Sequence, residues 1–172
     1  QESRGLGDVY KRQVDYRKKE HEIAIQYAQQ EIDVILGGGK KFWPDSLIAV
    51  YESRGGQYFN DMNVSLSDDK RLLGLFAEKA LPPVHEGRSP TTTEMAKLAI
   101  ERLDDNPNGF FVMIEESQVD WGGHSNSAEY IQGEMRSLND LINYALDYQQ
   151  ENPEVLVVLT ADHECGGVAV HD

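Results

Sequence analysis

The chain has 172 residues, 40% of them hydrophobic, and a formal net charge of −14. That length suits about one domain, and the apolar fraction suffices for a sizeable core. The acidic balance disfavours nucleic acid or an anionic membrane as partner, no run of about 18 apolar residues offers a membrane span, and the single cysteine, Cys165, excludes an internal disulfide.

Residues 1–13, with SRGLGDVYKRQ at 3–13, read as the in-frame translation of a sequencing adapter and are set apart from residues 14–172. No signal peptide is legible at the start. From Val14 to Glu31, Ile23, Ala24, Tyr27 and Ala28 recur at helical spacing, behind a small basic cluster of Arg17, Lys18 and Lys19. Ile32–Leu36 reads as a strand. Gly37-Gly38-Gly39-Lys40-Lys41 follows it without the spacing of a phosphate-binding P-loop, so a tight packing turn is the better reading. Residues 42–63 suggest a short helix and loops, with an extended piece at Gln57–Phe59. Leu72–Phe76 predicts a brief strand interrupted by Gly74, and Pro82–Pro90 a loop in which His85 is a surface residue. Ser89–Glu94 carries the hydroxyl side chains that cap a helix start. Met95, Leu98, Ala99 and Leu103 supply that helix's buried stripe, and Asn106-Pro107-Asn108-Gly109 ends it.

Phe110–Ile114 is five apolar residues bounded by turn signals, which predicts a buried strand. Glu115, Glu116, Asp120, a Gly122-Gly123 turn and His124 come directly after. Residues 127–150 form a long amphipathic pattern through Ile131, Met135, Leu138, Ile142, Ala145 and Leu146. Val155–Leu159 repeats the strand signal and ends in Thr160-Ala161-Asp162-His163-Glu164. Strands alternating with helices predict an α/β fold with a mostly parallel sheet covered on both faces. In such sheets, sites form beyond the carboxyl ends of the strands. If these two strands are neighbours, Glu115, Asp120, His124, Asp162 and His163 converge on one crevice. Carboxylate and imidazole donors together suit zinc, and oxygen donors alone suit magnesium. Singly, each residue has an ordinary role: Asp120 could cap a turn, His124 sit satisfied in a loop, and Asp162-His163 close a strand. Cys165 reads as buried rather than reactive, and Glu164 as exposed or supporting.

With these residues in place, the chain from Val14 to Asp172 resembles part of an alkaline phosphatase. The resemblance rests on Arg17 opening its helix, IDVILGGGKKF at 32–42, IEESQVDWGGH at 114–124 and TADHE at 160–164. It implies an incomplete three-layer α/β sandwich around a mostly parallel sheet. It also implies a phosphomonoesterase with two zinc ions and one magnesium ion, working through a phosphoserine intermediate. On this resemblance Asp120 and His124 bind the first zinc, Asp162 and His163 the second, and Glu115 the magnesium. Arg17 would hold two phosphate oxygens through its guanidinium fork, and Trp121 would lie near the phosphate. The partners implied are a phosphate monoester and inorganic phosphate, with a homodimer and a periplasmic or secreted location as further family expectations.

The departures are as specific. The family's nucleophilic serine, its bridging aspartate and its magnesium-site threonine all precede the Arg17 position, and a further zinc histidine follows far beyond Asp172. None is in this chain, so the reading is an inactive fragment of an active parent. Glu116 stands where the family usually has glycine. Two other readings stay open: a superfamily relative acting on phosphodiesters, phosphonates or sulfate esters, and a non-catalytic metal-binding relative.

Overall fold

The computed structural model describes Tyr16 and residues 18–167. The expectations placed on residues 1–13, Arg17 and His171 therefore lie outside the described residues. The chain divides into two compact units. Among the described residues, one comprises those up to Leu81 together with Leu98–Val112, and the other comprises Pro82–Lys97 and those from Met113 onward.

The first unit is a small α/β assembly. Helix α1 (Glu20–Gln29) leads into β1 (Val34–Gly37), a 3-10 turn (Lys40–Phe42), α2 (Asp45–Ser53), β2 (Gly56–Phe59) and β3 (Arg71–Leu75). All strand pairings are parallel, in the order β1-β3-β2, with Leu72 opposite both Val34 and Gln57. A central parallel strand is covered on both faces and so reads as a continuous apolar run. That is the pattern of β3, where Leu72, Leu73, Gly74 and Leu75 are all buried. Gly74 does not interrupt the strand, contrary to the sequence expectation. It sits inside it because a Cβ there would come within 2.8 Å of the Leu36, Phe76 and Phe59 side chains.

Ala24 and Ala28 of α1, Trp43, Ile48 and Tyr51 pack with Leu73 and Leu75 as the core. The Tyr51 ring meets Trp43 edge-on, with centroids 6.1 Å apart. The glycine run after β1 is a packing turn, as its spacing suggested. Gly39, Lys40 and Lys41 donate their amides to the carbonyls of Lys79, Ala77 and Glu78. A Cβ on Gly38 would lie 2.0 Å from the Lys79 carbonyl oxygen.

The second unit is helical. It holds a 3-10 turn (Val84–Glu86), the opening of α3 (Thr92–Leu103), α4 (Gln118–His124) and α5 (Ala128–Glu151). Thr91 and Glu94 form a reciprocal cap: the Glu94 amide donates to Thr91 Oγ1, and the Thr91 amide donates to the Glu94 carboxylate. Ser127 caps α5 by accepting from the Tyr130 amide. On α3 Thr92, Ala96, Ala99 and Ile100 are buried, and Met95, Leu98 and Leu103 are half-buried. On α5, Leu141 is buried and Met135 and Leu146 are exposed.

Two further sequence expectations fail. Phe110–Ile114 and Val155–Leu159 do not join a sheet, and Phe111 and Leu156 are each 81% exposed. An apolar run supplies only one side of a strand. Its ladder and its burial come from neighbouring backbone, and the described sheet consists of β1, β3 and β2 alone, with neither run paired to it. The expected Gly122-Gly123 turn is instead the last turn of α4. Among the described residues, no helix is long and apolar enough to cross a membrane.

Candidate metal centre

The site is built on α4 and on the segment that follows residue 159. Asp120 and His124 are four residues apart, so helical geometry puts both on one face. His124 Nε2 lies 3.5 Å from Asp120 Oδ2. The glycines between them serve close approach. A Cβ on Gly122 would lie 3.0 Å from the Ile131 backbone nitrogen, and one on Gly123 would lie 3.0 Å from both the Cβ and the carbonyl oxygen of Cys165. That contact seats the 160–165 segment directly against α4.

The segment brings a second imidazole to the same carboxylate. His163 Nε2 lies 4.0 Å from Asp120 Oδ1 and 3.6 Å from Asp162 Oδ2. His163 Nδ1 is 2.7 Å from the carbonyl oxygen of Glu164. A carbonyl only accepts, so Nδ1 carries the hydrogen, and Nε2, on the side of the two aspartates, is the ring atom open to a proton or a cation. The Glu164 carbonyl, and after it the Asp162 charge, raise the His163 pKa above the ordinary histidine value.

Ile114, Glu115, Asp120, Trp121, Asp162 and His163 all line one open cleft of about 370 Å³, with Glu116 and Cys165 also on its wall. Glu115 is exposed there. The sequence expectation of a shared crevice for Glu115, Asp120, Asp162 and His163 thus has a concrete geometry, and His124 joins it through Asp120. Cys165 is half-buried, and a hydrogen bond to the Asp120 carboxylate, with burial second, pushes its thiol pKa up. Asp120, His124 and Cys165 each place a donor atom within 4.8 Å of the others.

One atom shows what this arrangement lacks internally. Asp120 Oδ1 is buried without a hydrogen-bond partner. A buried anionic oxygen left unpaired is costly, and a cation held with the neighbouring imidazole nitrogens would satisfy it. The donor set, carboxylate oxygens with neutral imidazole nitrogens, fits zinc, and the exposed carboxylate of Glu115 fits a hard ion such as magnesium.

Sequence reasoning missed the support behind this cleft. Arg88, buried, reaches Glu134 Oε2 at 2.6 Å and Glu116 Oε2 at 3.2 Å. Glu134 is fully buried and also accepts from the Val84 amide at 2.9 Å. Ser137 donates to Glu116 Oε1 at 2.7 Å. The available signal was Glu134 itself, an acid lying between Ile131 and Leu138 on the inward stripe of α5, where a charge needs a buried partner.

The alkaline phosphatase family profile matches residues 2–171. The chain is 34% identical over 166 residues to alkaline phosphatase 3 of Bacillus subtilis, covering 90% of this chain and 36% of that protein. It is 28% identical over 200 residues to the repressible alkaline phosphatase of Saccharomyces cerevisiae, covering 90% and 35%. Among solved structures, a mutant of TAB5 alkaline phosphatase with Mg bound in the M3 site superposes with a TM-score of 0.84, at 29% identity, covering 93% of this chain and 49% of that one. The alkaline phosphatase of the Antarctic bacterium TAB5 gives 0.76 at 26% identity, covering 84% and 45%. The chain spans about a third of the length of the curated relatives it matches. On the match over residues 2–171, the chain belongs to the alkaline phosphatase family.

Proposed function

We propose that this chain carries the metal-holding part of a phosphomonoesterase site. Asp120 with His124 would hold one zinc, Asp162 with His163 a second, and Glu115 a magnesium. The observation that carries the reading is the unpartnered, buried Asp120 Oδ1 with His163 Nε2 4.0 Å away. When bound, such ions lower the pKa of a coordinated hydroxyl and stabilise the attacking and leaving oxygens of a phosphoryl transfer.

The remaining work falls to the chain's own groups. Asp120, wedged between His124 and His163, fixes where positive charge collects. The Glu164 carbonyl takes the Nδ1 hydrogen of His163 and so leaves Nε2 as the ring's ligand atom. Trp121 lines the cleft beside them and would limit access of water to the phosphate. Arg17, outside the described residues, is proposed to grip two phosphate oxygens. Local cations would also reconcile an anionic substrate with a chain of net charge −14.

The phosphoserine route needs a serine from the region that the family places before Arg17. The 172 residues alone should therefore hydrolyse p-nitrophenyl phosphate no faster than buffer containing zinc. A protein joining them to such a region should turn it over and lose that activity on Asp162→Ala. Turnover by the isolated chain, abolished by the same change, would overturn the proposed division of labour. The identity of the upstream nucleophile separates this reading from a diester, phosphonate or sulfate ester hydrolase. A periplasmic or secreted location and a homodimer are carried as proposals from the same family.

A further inference from the structure

Glu116 sits beside the proposed magnesium ligand, yet its side chain points away from that task. Its carboxylate is 5% exposed and has two partners. Arg88 Nη1 donates to Oε2 at 3.2 Å and Ser137 Oγ to Oε1 at 2.7 Å. Arg88 is itself fixed. Its Nη2 donates to the fully buried Glu134 at 2.6 Å and its Nε to the Pro82 carbonyl at 3.0 Å. Glu134 is held in turn by the Val84 amide. Arg88 is thus fastened to α5 through Glu134 and to the 82–88 loop through Pro82, and Ser137 ties Glu116 directly to α5.

From this we infer that Arg88 and Glu116 are positioning residues for Glu115. The inference rests on the proposed role of Glu115 as the magnesium ligand. Adjacent residues share one peptide link. Clamping the Glu116 side chain into the protein fixes the backbone at 115–116 and leaves the Glu115 carboxylate facing the cleft, where it lies exposed. A flexible backbone at this point would spread that carboxylate over several orientations, and each would have to be reordered when the ion binds. A residue that holds a ligand in place is worth roughly tenfold to a hundredfold in metal affinity. Glycine at position 116, with no side chain to clamp, could not provide this.

The test is binding of manganese(II), as a magnetic stand-in for magnesium, to the zinc-loaded protein that joins this chain to the region the family places before Arg17, followed by the electron paramagnetic resonance of free and bound ion. Four forms are compared: unchanged, Glu115→Gln, Glu116→Gln and Arg88→Lys. Glu115→Gln should lose the site. Glu116→Gln should weaken binding about tenfold to a hundredfold and broaden the bound-ion spectrum, while its circular dichroism stays that of the unchanged chain. Arg88→Lys keeps a buried cation where Glu116→Gln or a larger change fails to fold, and it should weaken binding in the same direction. If Glu115→Gln binds like the unchanged chain, the metal assignment falls and the positioning role with it. If Glu115→Gln loses the ion but folded Glu116→Gln and Arg88→Lys bind it as well as the unchanged chain, the positioning role alone is overturned.

Discussion

His163 Nε2 and Asp120 Oδ1 face each other across 4.0 Å although the residues are 43 apart in sequence, and that buried aspartate oxygen accepts no hydrogen bond. This pair joins the two motif-bearing segments. Asp120→Asn would replace one anionic oxygen with an amide that repels a cation. Zinc affinity, measured by competition with a chromophoric chelator, is expected to fall by at least the roughly tenfold to hundredfold that even an outer partner costs. His163→Ala should do the same, and both should leave the circular dichroism unchanged because both residues lie at the cleft.

Gly123→Ala separates packing from propensity. Alanine is the better helix former by about 1 kcal/mol, so on α4 alone the change should stabilise. Its Cβ, however, would lie 3.0 Å from the Cys165 carbonyl oxygen, a backbone atom with little freedom to yield. The expected result is a displaced 160–165 segment, with zinc affinity lowered more than tenfold and thermal stability changed by less than about 1 kcal/mol. An unchanged zinc affinity would mean that this close approach does not seat His163.

Removing Arg88 tests the buried ion network. Arg88→Met leaves Glu134, fully buried, and Glu116 without their cation. Breaking a buried pair from one side costs about 3–5 kcal/mol. Urea denaturation should show a loss of that order. The double change Arg88→Met with Glu134→Leu should recover part of it, since it removes one of the two stranded carboxylates while Glu116 keeps its bond from Ser137.

Tyr51 predicts an alkaline transition in the first unit. Its hydroxyl is buried with no hydrogen-bond partner, and burial, opposed in part by the Arg71 charge, raises its pKa to about 12. The folded state therefore favours the neutral phenol. This contribution is whole below the unfolded value of about 10 and disappears as pH rises through 12, a change of about 2–3 kcal/mol. Stability followed through Trp43, whose ring lies 6.1 Å from that of Tyr51, should fall over this window. Tyr51→Phe should flatten the fall without loss at neutral pH, because no hydrogen bond is given up.

The contrast between readable and hidden features follows from range. Helix α5 and the inner strand β3 are written in local periodicity, and the capping pair Thr91–Glu94 spans three residues. The residues that line the cleft were legible as candidates because carboxylates and imidazoles gather within two short stretches, 115–124 and 160–164. Phe110–Ile114 and Val155–Leu159 misled because apolarity records a capacity to be buried, while exposure depends on which backbone lies alongside. The helical form of Gly122-Gly123 was hidden because it depends on Ile131 and Cys165 pressing against it. Arg88 and Glu134 are 46 residues apart, and no local pattern pairs them. Arg17 lies outside the described residues, so its proposed phosphate grip rests on the resemblance.

The clamp around Glu116 also bears on how this protein could have diverged. A glycine at that position leaves Arg88 with one carboxylate instead of two, and an apolar residue at position 134 leaves it with a single acid at the edge of the cleft. Neither step is comfortable alone. Positions 88, 116 and 134 should thus be inherited together, and among natural variants an acid at 116 should accompany an arginine at 88 far more often than chance would pair them.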